Sequence, residues 1–263
     1  MPRYRLTIEY DGTPFTGWQG QPCMSTIQGS LQTAFRGFTG EDVYVRGAGR
    51  TDTGVHAIGQ VAHVDLPVAR PALKIREAMN FFLRPHPISV IGCEEVSPEF
   101  DARFSATSRH YLYRILNRRA PPALDINRVW AVTLPLDPGA MHEAAQRLLG
   151  RHDFTTFRAS ACQARNPVRT LDQLDVRRVG SEIHIEASAR SFLHSQVRSM
   201  VGSLKRVGEG KWTPNDMARA FASCDRSACG PVAPPCGLYL EHVAYRIGVP
   251  VPPEVIEELD TDK

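Results

Sequence analysis

Residues 43–57 read VYVRGAGRTDTGVHA and bring a guanidinium at Arg50, a carboxylate at Asp52 and an imidazole at His56 into one short stretch broken by glycines. An aspartate beside an arginine is expected to stay ionised, because a nearby opposite charge favours the carboxylate. An ionised carboxylate suits a nucleophile or a base better than a proton donor. Apolar alternation before the glycines, and again over residues 58–66, reads as two strands. Asp52 is therefore expected on a loop held by a sheet, where catalytic groups are usually mounted. Plainer readings exist. Asp, Thr and Gly are ordinary turn formers, and on an open surface Arg50 would simply pair with Asp52. Asp52-Thr53-Gly54 also spells the DTG of aspartic proteases, but that chemistry needs two carboxylates sharing a proton. The motif occurs once here, after polar residues 49–51 where an apolar strand is required.

The elements that must carry this loop follow from the patterning. With 263 residues, 42% hydrophobic and 22% charged, the chain has the composition of a globular protein with ample core. Its net charge of +3 is too small to establish nucleic-acid binding, yet it allows a local basic face. The opening MPRYRLTIEY is charged and alternating, unlike a secretion signal, and no apolar run reaches membrane-spanning length. Reduced thiols in the cytoplasm are the expectation for the six cysteines. Cys224, Cys229 and Cys236 cluster without the short spacings of a zinc module, so no metal site is assigned.

Strands are expected at 3–10, 88–96, 110–117, 129–134, 168–179, 182–189 and 237–247, besides the two around Asp52. Helices are expected from a capping box of Ser25 with Gln28, and at 72–83, 141–149, 192–207 and 213–221. Both halves open with a Tyr/Arg-rich strand and later carry a strand, a basic loop and a helix. This points to an α+β protein of two related halves, each a mixed or antiparallel sheet with helices packed on one face. The first half, 1–108, carries the Asp52 loop; the second spans 109–247. The acidic tail at 248–263 is expected to be disordered.

GRTDTGVHA closely resembles the signature loop of the TruA family of tRNA pseudouridine synthases, usually GRTDAGVHA, with Thr53 for the usual Ala. Further stretches resemble the same family in the same order, across residues 3–247. RYRLTIEYDGTPFTGWQ resembles its opening strand and turn. FDARFSATSRHYLYRI resembles the segment with its active-site tyrosine, placed on Tyr111 with Tyr113 as the near alternative. HDFTTFRASACQARNPVRT resembles a basic mid-chain segment, and FLHSQVRSMVGSL the helix with its catalytic-site arginine, here Arg198. In that helix Gln196 stands for a common Met. DRSACGPVAPPCGLYLEHVAY resembles the C-terminal end.

The resemblance implies the pseudouridine synthase fold, a homodimer, and isomerisation of uridine to pseudouridine in the anticodon stem-loop of tRNA, the 38–40 region. It implies no metal, redox or other cofactor. Asp52 would act at the sugar, by attacking C1′ or by first taking a 2′ proton. Tyr111 would stack on the uracil, and Arg198 would pair with Asp52 and keep it charged. Arg50 would fill the gap left by the flipped base or grip its phosphate, and His56 would contact RNA. Arg103, Arg109, Arg114, Arg118 and Arg119 are either a solvated face or a stripe for phosphates. Two other classes compete. One is an RNA-binding module without catalysis. The other is a hydrolase using Asp52, which would need a second carboxylate as acid, and no Glu or Asp in the matched segments can be assigned that role.

Overall fold

A computed structural model describes residues 1–246; Ile247 and the tail at 248–263 lie outside them. The chain divides into two compact units. One is Met1–Thr107 together with the strand segment from Leu240, and the other is Ser108–Tyr239.

The first unit is built from β1 (Arg3–Tyr10), α1 (Ile27–Thr39), β2 (Arg46–Gly47), β3 (His56–Asp65), α2 (Ala72–Phe82) and β4 (Ile88–Val96). β1 lies antiparallel between β3 and β4, with Arg3 opposite both Asp65 and Val96. Its alternation sends Tyr4, Leu6, Ile8 and Tyr10 into the core, where Ile27, Leu31 and Phe35 of α1 and Ile75 and Met79 of α2 are also buried. Asn80 of α2 grips the backbone of Val90 twice, accepting from its N–H at 2.8 Å and donating to its carbonyl at 2.9 Å. Helix and outer strand are thereby tied together.

Two local expectations change. Residues 43–45 alternate like a strand but do not pair as one; only Arg46 and Gly47 pair, opposite His63 and Ala62. The carbonyl of Val45 is instead satisfied by the buried side chain of Gln28, at 2.8 Å. That same Gln28 accepts from Gly20 N–H at 2.8 Å, so it cannot close a capping box. The N-cap is Thr26, whose hydroxyl accepts from Gly29 N–H.

The second unit holds β5 (Ala106–Leu116), β6 (Trp130–Ala131), α3 (Pro138–Gln146), β7 (Gly150–Asp153), β8 (Val168–Val179), β9 (Glu182–Ala189), α4 (Gln196–Gly208) and α5 (Pro214–Ala222). Its strands run in the order β5-β9-β8-β7, antiparallel throughout, with the short β6 parallel to β5. The expected strand at 129–134 shrinks to β6. Helix α4 begins at Gln196 rather than 192, because Ser195 takes a left-handed backbone (φ 58°) just before it. Thr213 and Asp216 form a full capping box for α5. Tyr113, Ile183, Ile185, Leu174, Met141, Met200 and Leu204 are core residues of this unit.

The last described strand, β10 (Leu238–Tyr245), lies beside β3 in the first unit's sheet. Tyr245 packs at a tilt against Phe100 and donates its hydroxyl to Ala102 O at 2.7 Å. Each unit is thus an antiparallel sheet with helices, the α+β class expected. No helix among the described residues is long and apolar enough to cross a membrane.

Candidate active site

The Asp52 loop is held from beneath by buried polar groups. The carbonyl of Gly49 accepts from Gln60 Nε2 at 2.9 Å, and Thr51 Oγ1 lies 2.8 Å from Tyr10 Oη. Thr51 O accepts from Trp18 N–H at 3.0 Å. Tyr10, Thr51 and Gln60 are 3%, 6% and 0% exposed, so these bonds are made in low dielectric, where an unmade partner is costly. Burial pushes the Tyr10 phenol up to about 12, which keeps it a neutral hydroxyl at physiological pH. Arg50, bracketed by the two held residues, is exposed, and Asp52 is half-exposed. A turn closed by Val55 N–H on Asp52 O, at 3.1 Å, then feeds β3.

The segment after β1 backs this loop. A side chain on Gly12 would overlap the carbonyl of Val55. One on Gly17, whose φ is +95°, would come within 2.7 Å of Thr51 O. His56 belongs to this bed. It is 2% exposed, and its Nδ1 accepts from Gly12 N–H at 3.1 Å while lying 3.2 Å from Asp11 Oδ1. The structure therefore places His56 inside the loop's foundation rather than on its face. Sequence reasoning passed over Tyr10, Gly12, Gly17 and Gln60. The signal available was a Gly-rich turn, YDGTPFTGW, directly after a strand.

Tyr111 and Tyr113 share one face of β5, two residues apart. Tyr113 is 0% exposed and donates its hydroxyl to Pro234 O at 2.7 Å, and burial holds its phenol well above the usual value. Tyr111 is the half-exposed one, packed edge-on to Phe192 with centroids 5.2 Å apart. Of the two tyrosines, Tyr111 has a face to offer a base. Arg198, half-buried on α4, donates Nε to Ala233 O at 2.8 Å, and its own carbonyl accepts from Ala233 N–H at 3.0 Å.

The five arginines have different surroundings. Arg109 is 5% exposed and donates to Arg190 O. Arg114 forks onto Glu182 at 2.9 and 2.7 Å, which raises its own pKa and lowers that of Glu182. Arg103 lies over the ring of Phe104, and Arg118 and Arg119 are exposed. No cluster of three metal-ligating side chains occurs among the described residues.

The chain is an antiparallel α+β protein that presents a half-exposed carboxylate on a hydrogen-bonded loop. A family model described as tRNA pseudouridine synthase matches residues 6–105 and 144–246. A tRNA pseudouridine synthase A from Xanthobacter autotrophicus is 63% identical over 245 residues, covering 93% of this chain and 100% of that protein. The tRNA pseudouridine synthase A of Azorhizobium caulinodans is 62% identical, covering 93% and 95%. One from Rhodopseudomonas palustris is 63% identical, covering 93% and 100%. The chain belongs to the tRNA pseudouridine synthase family, and as such is an isomerase.

Proposed function

We propose that the chain isomerises uridine to pseudouridine in the anticodon stem-loop of tRNA, in the 38–40 region, without metal or redox cofactor. The reaction breaks C1′–N1, turns the uracil, joins C5 to C1′ and releases the C5 proton, while N1, freed of the sugar, takes up a proton. Asp52 is the carboxylate that acts at the sugar of a nucleotide drawn out of its stack. Tyr111 is the aromatic face for the uracil. Arg198 supplies the positive charge that keeps the reacting carboxylate ionised, and exposed Arg50 meets the RNA. His56 serves through the loop it supports.

The observation that carries this reading is the bed under the loop. Tyr10, Thr51 and Gln60 hold the residues on both sides of Arg50, while Asp52 stays half-exposed. Preorganisation of this kind is what a reacting carboxylate needs. The test is incubation with tRNA tritiated at uridine C5. Tritium should pass to water with no free uracil. A non-catalytic RNA-binding module would release none, and a hydrolase would yield uracil.

Tyr111→Ala should lower turnover by about ten- to a hundredfold, the range that loss of one base–aromatic stack commonly gives. Tyr111→Phe keeps the ring and should retain more. If the hydroxyl takes the C5 proton, the Phe variant should run the early steps and stall before release. Wild-type rates for both variants would move the role away from Tyr111.

The active form is a homodimer. Support comes from apolar surface on α2, where Leu73 is 53% and Phe81 67% exposed. Light scattering of active enzyme should return twice the chain mass; a monomer mass would reject the dimer. The enzyme works in the cytoplasm beside its tRNA, in keeping with six free cysteines, and cell fractionation checks this.

A further inference from the structure

We propose that the loop from Cys229 to Ala233 is a positioning device for Arg198, and that Gly202 and Gly230 are positioning residues because only glycine lets the loop close. The proposal rests on the catalytic role given to Arg198 above.

The argument begins on α4. Ser199, Gly202 and Ser203 follow one another at helical spacing and give the helix one face of small side chains. Onto this face the loop lays its backbone. A Cβ on Gly202 would overlap Pro231 O and stand 3.1 Å from Ala233 N, and one on Gly230 would stand 2.9 Å from Ser203 Cα. These neighbours are backbone atoms, which cannot swing aside as a flexible side chain can. Hydrogen bonds lock the contact. Gly230 N–H donates to Ser203 Oγ at 3.0 Å, and Ser203 Oγ donates to Ser199 O at 3.0 Å.

The clasp ends at Arg198. Ala233 is fully buried and bonds that residue twice, once at its backbone carbonyl and once at its side-chain Nε. An arginine on a helix surface has several rotatable bonds and samples many positions. Bonding Nε to a fixed carbonyl outside the helix sets the plane of the guanidinium. Packing alone would need no such bond. Catalytic groups misplaced by about 1 Å can lose a hundredfold in rate.

The experiment is a pair of substitutions in two backgrounds, read as kcat and KM on tRNA together with the melting temperature. Gly202→Ala in the wild-type chain should lower kcat by about a hundredfold and leave KM for tRNA within about twofold. In the Arg198→Lys background, which has no Nε for Ala233 to hold, Gly202→Ala should cause no further fall. A loss of equal factor in both backgrounds would show that the loop acts through the fold alone and would overturn the proposal, as would unchanged kcat for Gly202→Ala. If Gly202→Ala fails to fold, Ser203→Ala replaces it, with an expected loss of about three- to tenfold and the same dependence on background. Should Arg198→Lys itself turn over like wild type, the role of Arg198 falls, and this proposal with it. That outcome is distinct from the loop variants' results.

Discussion

Asp52→Asn is expected to abolish pseudouridine formation and to leave tRNA binding in place. Asn matches Asp in shape, and the turn closes through the backbone carbonyl of residue 52, which the change does not touch. The bed of Tyr10, Thr51 and Gln60 does not involve the Asp52 side chain either. What disappears is the negative charge and with it the ability to attack carbon or take a proton. Loss of a positioned group of this kind costs on the order of 10²–10⁴ in rate. Tritium release should therefore fall at least about a thousandfold, while a gel-shift titration with tRNA moves by less than about threefold. Turnover within tenfold of wild type would remove Asp52 from the reaction. Loss of tRNA binding in step with activity would make it an RNA contact instead.

The parts of this site that were legible in the sequence are those set by local pattern. Alternation placed β4, β8 and β9 at their observed bounds, since each strand has one face in a core. The loop residues Arg50 and Asp52 were legible because glycines mark the breaks around them. What was not legible depends on partners distant in the chain. Gln28 fits a capping box by spacing, yet its amide goes to Val45 and Gly20, whose approach no local pattern announces. Residues 43–45 alternate like a strand, but the carbonyl of Val45 goes to that same side chain. Tyr111 and Tyr113 are indistinguishable as letters on one strand face. Only the carbonyl of Pro234, far along the chain, shows which is core. Gly202 looks like an ordinary weak point in a helix until Pro231 is seen lying against it. His56 is assigned to RNA contact by resemblance, whereas its ring is buried and accepts from the N–H of Gly12, distant in the chain.

Arg198 is where a structural role and a chemical one make the most distinct forecasts. As a solvated helix residue, its replacement would alter stability by at most about 0.5 kcal/mol and activity not at all. The structure already sets that reading aside, since the residue is half-buried and its Nε is the donor to Ala233 O. Arg198→Met leaves that buried carbonyl without its donor, a loss of about 1–3 kcal/mol. A fall of several degrees in melting temperature is therefore expected on structural grounds alone. The catalytic role predicts more. A planar, permanently charged fork can hold and polarise an oxyanion, and removing one such electrostatic group costs about a hundred- to a thousandfold in turnover. Arg198→Met should show that loss, measured well below its melting temperature, with tRNA affinity changed by less than about threefold. Arg198→Lys restores the charge as a point rather than a fork and should recover part of the rate. If Arg198→Met melts early yet turns over normally when folded, Arg198 is an anchor for the Ala233 loop and not part of the chemistry.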